Sequence, residues 1–336
     1  MSRLFYYAAC LLAYFLPISY ASGQQGSYNY FYRNNWQLVN PAAIDRSHYL
    51  TKKHPTMVVN AGSRVQWIGL EGAPLLYFVS AEYCPEERRS LPSYKIGISA
   101  FGDRTDAIST YGLYGNYSYY FVLPWGYKHS LHLGGSIGFI QYGVNLNRIR
   151  SQHIADDITL QSNQNRTFAD FALGVLYRVQ KRMYFGFSSP QTFGLNLIRD
   201  KNYSNKIGLR QVNFTGGWFI PKGAREYTTN YDENYVTIIE PSFIVRYAPG
   251  LTYSTTKFLK GSPFSADINL RIHHKLKYWY GGGLSTNGTV NLEGGIKRTL
   301  DSHLKMFFGA GYTIPVFQRY QSLGHSVEVN FGYYFR

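Results

Sequence analysis

Apolar and polar residues alternate along most of this chain with a period of two. In SVEVNFGYYFR, at residues 326–336, every second residue from Val327 to Phe335 is apolar, whereas Ser326, Glu328 and Asn330 are polar. SADINLRIHH and HLKMFFGAGYTI repeat the pattern. Alternate side chains of a β-strand point to opposite faces of the sheet, so these stretches predict strands with one apolar and one polar face.

The alternation predicts an all-β fold, a single-chain transmembrane antiparallel β-barrel. A soluble β-sandwich also alternates, but its strands typically have about five or six residues. Here the predicted strands are longer, and aromatic residues crowd their ends as interfacial girdles require. An even strand number agrees with barrel closure. The fourteen predicted strands are 56–69, 73–83, 94–102, 110–123, 128–144, 168–179, 182–190, 206–220, 235–248, 264–275, 277–286, 288–299, 303–314 and 325–335.

The lengths of the connections predict the orientation. Bacterial barrels have short periplasmic turns and long outer loops. With the N-terminus in the periplasm, the long polar connections point outward and the short ones inward, although two inward links, 84–93 and 221–234, are longer than expected. The predicted outward loops include 145–167, 191–205, 249–263 and 315–324, and the inward turns include 124–127, 180–181, 276 and 300–302.

The N-terminal region divides into two parts before the barrel. Residues 1–23 have a short basic start, an apolar stretch and a small-residue site, which predict a cleaved signal peptide. Residues 24–55 predict a plug in the lumen or a periplasmic segment, with a disordered tail as the alternative. In this segment Asn40 would cap a helical turn begun by Pro41. Residues 56–336 form the predicted outer-membrane barrel.

The composition and net charge of the chain indicate which classes of partner it could bind. Aromatic residues make up 18% and charged residues 16% of the 336 positions, whereas soluble domains carry about 25% charged residues. The net charge of +15 suits acidic partners or anionic membrane surfaces. An exported chain without a run of five basic residues is not expected to bind nucleic acid.

No motif predicts catalysis, a cofactor or a metal site. The chain has no G-x-S-x-G or H-E-x-x-H motif. His132 and Ser136 share a strand face but stand about 13 Å apart along it, too far for proton transfer. The acidic stretch around Asp156 and Asp157 lacks the ligand order of a calcium loop. The sequence therefore predicts a protein that is not an enzyme.

Charged residues at inward positions predict a polar lumen. Two interpretations stay open, an ion-pair network that holds a plugged barrel, or the lining of a substrate-selective pore. The predicted lumen network is Asp267, Arg271, Glu293, Lys297, Lys305 and Glu328, with Arg64 and Gln66 beside it.

An ordered set of motifs resembles the PorP/SprF family of outer-membrane proteins. An Asn-Pro-Ala motif is followed by RVQWIGLEGAP, and further similarity runs through FGFSSPQ, IIEPSFIVRY, PFSADINLRI, KYWYGGGLS and GHSVEVNFGYYF. The chain departs from the family in AAIDRSH after the first motif and in the terminal Arg336. The motif residues are Asn40, Pro41, Arg64, Gln66, Trp67, Gly69, Gly72 and Pro74.

The resemblance implies a non-enzymatic component of the type IX secretion system, which exports proteins and supports gliding motility. It implies four kinds of partner: outer-membrane lipid, a PorK/PorN-type periplasmic ring, the translocon, and secreted cargo such as adhesins. A passive or substrate-specific channel for small solutes is the alternative. The basic residues expected on inward hairpins, as contacts for periplasmic partners, are Lys181, Arg182, Lys275, Lys277, Lys297 and Arg298.

The stretch RVQWIGLEGAP predicts the end of one strand, a hairpin and the start of the next strand, and not a ligand-binding loop. Val65 and Trp67 would continue a lipid-facing row, and Gly69 to Gly72 would form a tight hairpin before Pro74 opens the next strand. Arg64 and Gln66 would point into the lumen. We therefore expect these two side chains to hold the segment 24–55 in place.

Overall fold

The fold is known from a computed structural model of the chain. The described residues are 30–45, 56–85, 94–106, 108–124, 129–145, 164–179, 182–196, 207–222, 237–248, 264–286, 288–301, 304–316 and 324–335. The predicted signal peptide, most of the predicted outer loops and the aspartates at 156–157 lie outside this set. Among the described residues, no helix is both long enough and apolar enough to cross a membrane.

The structure is a closed antiparallel barrel, which confirms the predicted fold and the number of fourteen strands. Strands β8 and β9 are two parts of one barrel strand, interrupted at Phe219. The strands are β1 (Met57–Val65), β2 (Leu75–Tyr83), β3 (Tyr94–Thr105), β4 (Ile108–Val122), β5 (His129–Val144), β6 (Gln164–Val179), β7 (Met183–Asn196), β8 (Ile207–Trp218), β9 (Ile220–Lys222), β10 (Thr237–Tyr247), β11 (Phe264–His274), β12 (Tyr278–Ser285), β13 (Thr289–Asp301), β14 (Leu304–Pro315) and β15 (Ser326–Phe335).

The barrel closes between its first and last strands. β1 pairs with β15 from Met57 opposite Phe335 to Val65 opposite Val327. Each remaining strand pairs with its neighbours in sequence, so no strand edge is left unpaired around the ring. Closure satisfies the backbone hydrogen bonds that lipid cannot satisfy.

Alternation sorts the side chains between lipid and lumen. Ile137 in β5 is 62% exposed, whereas its neighbour Ser136 is 7% exposed. The outward residues are largely Ile, Leu, Val, Phe and Tyr, and the buried inward residues include many Asn, Ser and charged side chains. The lumen is therefore polar, and the outer surface is the apolar band expected in a bilayer.

Several strands are longer than predicted because their ladders continue. β5 and β6 pair as far as Val144 opposite Gln164, so β6 begins four residues before the predicted start at 168. β7 was predicted to end at 190 but runs to Asn196, with register shifts after Ser188. The bulges absorb Pro190, which cannot donate a backbone hydrogen bond.

The first hairpin corrects one expectation. β1 ends at Val65, and Trp67 lies in the turn with a φ of 57°, so it does not extend a lipid-facing strand. The Gln66 N–H donates to the Pro74 carbonyl over 2.9 Å, which closes a wider turn than a tight hairpin. Gly69 and Gly72 have φ of 96° and 74°, a region that favours glycine.

Candidate functional site

Residues 30–45 lie inside the barrel and are here termed the lumen segment. It consists of two 3₁₀ helices, Tyr30–Asn34 and Trp36–Leu38, followed by a turn at Pro41. Nearly all of its described side chains are buried. The segment reaches the end of the barrel at which β1 begins, because the Asp45 N–H donates to Glu82 near the end of β2. This end is the one predicted to be periplasmic, and it is called the periplasmic end below.

A buried charge cluster holds the first helix of the lumen segment. Arg33 forms a salt bridge with Glu293 and donates to the Ser242 hydroxyl over 3.2 Å. Arg271 binds both oxygens of Glu293, at 2.9 and 2.8 Å, and its third nitrogen donates to Asn34 over 2.8 Å. Removing one member of such a cluster would leave another charge buried without compensation.

The environment keeps Arg33 charged despite its burial. Burial alone lowers the pKa of the guanidinium, but Glu293 and Glu240 nearby raise the pKa more, so the net direction is upward. The lumen segment therefore brings a permanent positive charge to an acidic part of the wall, where Glu240 is fully buried.

The Asn-Pro-Ala motif lies in a notch made by three glycines. A Cβ on Gly134 would lie 2.4 Å from the Ala42 nitrogen, and one on Gly174 would lie 2.0 Å from the Asn40 side-chain oxygen. Gly186 is similarly close to Asn40, at 2.8 Å. These distances are shorter than van der Waals contact, so only glycine allows the wall to approach the motif this closely.

Hydrogen bonds complete the seat of the motif. The Asn40 amide donates to the Val175 carbonyl over 3.1 Å, and its oxygen accepts from the Ala42 N–H over 2.9 Å. Asn40 therefore does not cap a helical turn, as predicted, but stabilises a local turn at Pro41. The 3₁₀ helices lie before Asn40 in the chain. Ser188 and Asn213 both donate to the Val39 carbonyl, at 2.7 and 3.4 Å.

Lys95 anchors the periplasmic end of the lumen segment. Its ammonium is fully buried and donates to the carbonyls of Pro41 and Ala43, at 3.0 and 2.5 Å. Beside it, the Asp45 N–H donates to Glu82 over 2.7 Å. A positive charge that holds two carbonyls makes stronger hydrogen bonds than a neutral donor would.

Apolar packing completes the seat. Trp36 packs on Tyr184 with ring centroids 4.6 Å apart, and Tyr184 in turn packs on Phe219 at 5.7 Å. Phe219, which interrupts the eighth barrel strand, is thus turned into the core formed with the lumen segment. The buried cluster consists of Tyr32, Trp36, Ala42, Ala43, Ile44, Cys84, Leu176, Tyr184, Phe219, Ile238 and Ile244.

The six residues of the predicted lumen network make contacts at several separate positions in the barrel. Arg271 and Glu293 are in contact, as described above. Asp267 instead accepts from Arg246 over 2.6 Å, and the Lys297 ammonium lies 4.1 Å from the ring centroid of Tyr334. Glu328 accepts from Asn330 over 3.3 Å, and Lys305 is half-buried in β14.

The predicted clamp of Arg64 and Gln66 lies near the outer end of the barrel. Arg64 is buried and stands opposite Glu328 in the β1–β15 ladder, while Gln66 belongs to the first turn. The hydrogen bonds described above between the wall and the lumen segment come from other residues. That Arg64 and Gln66 hold the segment stays a prediction.

The predicted periplasmic contacts divide into turn and strand residues. Arg182, Lys275 and Lys277 are exposed in short turns. Lys297 and Arg298, which were expected in a hairpin, lie within β13 because its ladder with β14 continues to Asp301. Lys181 is outside the described residues.

His132 and Ser136, the pair considered for catalysis, each contact another wall residue and not one another. The His132 ring packs edge-on against Tyr120 at 4.7 Å between centroids. The Ser136 hydroxyl donates to Asn116 over 2.5 Å. In the described part of the chain, no three His, Cys, Asp or Glu side chains gather as a metal site.

Sequence reasoning missed the residues that carry most of the segment's contacts. Lys95, Ser188 and Asn213 occupy inward positions of alternating strands, and this pattern could have identified them as lumen residues. Arg33 offered no such signal, because its partner Glu293 is 260 positions away. The glycine notch was hidden among the 33 glycines of the chain.

A cavity of about 300 Å³ lies above the lumen segment, toward the outer end of the barrel. Its floor is formed by Gln37 to Pro41, and its wall by strands β2 to β8 and β10. Wall residues such as Asp103 and Arg246 lie near the strand ends that lead into the outer connections.

Comparison with known proteins identifies one family. A family model described as type IX secretion system membrane protein PorP/SprF matches residues 21–333, nearly the whole chain. A search of curated protein sequences gives no match.

Several solved outer-membrane structures are distantly similar. Omp33 of Acinetobacter baumannii is 9% identical with a TM-score of 0.44, covering 85% of this chain and 100% of that chain. The CymD monoaromatic hydrocarbon channel is 11% identical with a TM-score of 0.47, covering 93% and 94%. A FadL homologue of Pseudomonas aeruginosa is 10% identical with a TM-score of 0.42, covering 83% and 89%. These similarities are too weak to indicate function.

Proposed function

This chain belongs to the PorP/SprF family of type IX secretion system membrane proteins, and from that membership we propose that it supports the secretion or surface attachment of exported proteins such as adhesins. It is an outer-membrane component of that system. The proposed role is binding and anchoring, not catalysis.

One observation carries the proposal beyond the family. The lumen segment fills the periplasmic half of the lumen through a buried charge cluster, a glycine notch and the Lys95 ammonium. A barrel filled in this way is better suited to holding partners at its two ends than to passing small solutes.

Deletion of the gene, followed by comparison of the secreted and surface proteomes, tests the role. We expect the loss of one or more adhesins from the cell surface, and restoration by the intact gene. Loss of a single adhesin would indicate a dedicated partner, and loss of all cargo would indicate a core component. Unchanged secreted and surface proteomes would refute the proposal.

The exposed basic turns support a second contact, with acidic surfaces of the PorK/PorN-type periplasmic ring or the translocon. We expect charge reversal of Arg182, Lys275 and Lys277 to reduce co-purification of ring proteins while the barrel still folds. Arg104→Glu is the matched control, because Arg104 is exposed near the opposite end. Equal recovery of ring proteins from both variants would argue against a basic docking surface.

A further inference from the structure

The interior of this barrel binds a polypeptide, and the structure shows how. Lys95, Ser188 and Asn213 donate from the wall to main-chain carbonyls of the lumen segment, over 2.5 to 3.4 Å. Because the barrel is closed, no strand edge is free to pair with a peptide. The lumen therefore recognises polypeptide through side chains that contact the main chain.

Polar side chains of the barrel wall also line the cavity above the lumen segment. Asn213 lies at the boundary, since it binds the Val39 carbonyl and also lines the cavity. The lining combines amides and hydroxyls with aromatic rings. Its polar members include Gln37, Ser99, Thr110, Asn116, Ser136 and Gln211, and its aromatic members are Phe101, Tyr114 and Tyr142.

The charges among the described lining residues favour neither a phosphate nor a metal ion. Among these residues the charged ones are Asp103 and Arg246, which have opposite signs, and Arg246 is paired with Asp267. A phosphate or a metal ion would need concentrated charge of one sign. A lipid chain would leave the amide and hydroxyl side chains of the lining without hydrogen-bond partners. A peptide, with polar main chain and apolar side chains in alternation, matches the mixed lining.

The floor of the cavity belongs to the lumen segment. It is lined by Gln37, Leu38, Val39 and Pro41, so a ligand bound there would also contact the segment itself.

We propose that this cavity binds a short extended segment of an exported polypeptide, which enters from the outer end of the barrel. The inference rests on the proposed function and adds the place where cargo is held. A volume of about 300 Å³ is at the lower end of ligand pockets, so the cavity takes a few residues and not a folded domain.

Filling the cavity provides a matched pair of variants. Ala172 is buried in β6 and lines the cavity, whereas Ala310 is exposed on the lipid face of β14. Ala172→Phe fills the cavity, and Ala310→Phe adds the same bulk outside it. Ser99→Leu is a milder filling variant in case Ala172→Phe does not fold, and heat-modifiable electrophoresis reports folding for each.

Direct binding is measured on the full-length protein in detergent micelles by saturation-transfer NMR. The probes are an acetylated and amidated tetrapeptide of glycine, alanine, serine and tyrosine, and maltose as a polar ligand of comparable size. We expect the peptide to bind, with at least tenfold weaker binding in the filled variants and unchanged binding in Ala310→Phe. Binding of maltose alone, or equal peptide binding in all variants, would overturn the inference.

The same variants separate this inference from the proposed function in cells. We expect Ala172→Phe, but not Ala310→Phe, to lose the adhesins that the deletion strain loses. If the deletion removes adhesins and both folded filling variants retain them, the cavity is not the cargo site, although the proposed function stands. If the deletion itself changes nothing, the proposed function fails first.

Discussion

Gly134 and Gly135 are adjacent in β5 but face opposite sides of the barrel wall. A Cβ on Gly134 would lie 2.4 Å from the Ala42 nitrogen of the lumen segment, whereas the nearest atom to a Cβ on Gly135 would be 3.7 Å away. We expect Gly134→Ala to weaken docking of the segment by about 1–3 kcal/mol, the usual cost of overpacking.

Hydrogen exchange of residues 36–45 measures this effect. Gly134→Ala should reduce their protection, while Gly135→Ala, the matched control, should leave it unchanged. Equal protection in the two variants would mean that the glycine notch does not control docking.

The ammonium of Lys95 holds two carbonyls of the lumen segment. Lys95→Met keeps the length of the side chain but leaves these carbonyls without their donor. We expect a loss of about 1–3 kcal/mol, observed as faster hydrogen exchange at residues 41–45. The exposed Lys277→Met serves as control, and an equally large effect there would attribute the change to net charge.

At the scale of elements, the turn between β11 and β12 is conformationally strained. Lys275 and Leu276 have φ of 52° and 48°, a region unfavourable for residues with a Cβ. Asn-Gly is the preferred pair where two consecutive central residues of a hairpin turn have positive φ. We expect replacement of Lys275-Leu276 by Asn-Gly to stabilise the barrel by about 1–2 kcal/mol.

Urea unfolding in detergent micelles would detect that gain. If the basic turn serves a periplasmic partner, the stabilised variant should also recover less ring protein. A more stable barrel with full partner recovery would restrict the role of Lys275 to the turn itself.

The alternation of apolar and polar residues predicted the barrel strands because it can be read within each strand, without knowledge of the strand's neighbours. The strand ends were less predictable, since a ladder continues wherever its neighbour does, as at Gln164 and Asn196. Trp67 looked like a strand residue, but tertiary hydrogen bonds of the first turn place it in a left-handed conformation.

The candidate site was only partly accessible from sequence. Inward positions identified Arg271 and Glu293 as lumen residues, but which of them meet depends on strand stagger. Arg33 meets Glu293 only because a segment outside the alternating pattern folds into the lumen. Contacts of that kind have no local signature.

At the scale of the whole molecule, the lumen segment fills one half of the barrel interior and leaves the cavity in the other half. We expect deletion of residues 24–45 to leave a folded barrel with a higher ionic conductance in planar bilayers than the full-length chain, because the polar lumen would then be open. An unchanged conductance would show that other parts of the chain also close the lumen.

The position of the lumen segment also sets an order of assembly. Arg33 is synthesised before every strand, yet its partner Glu293 lies 260 residues later, and other contacts come from β2, β3, β6, β7, β8 and β10. Such non-local contacts form slowly and late. The segment is therefore the first part of the site to be made and the last to find its place, so its docking reports that the whole ring has formed.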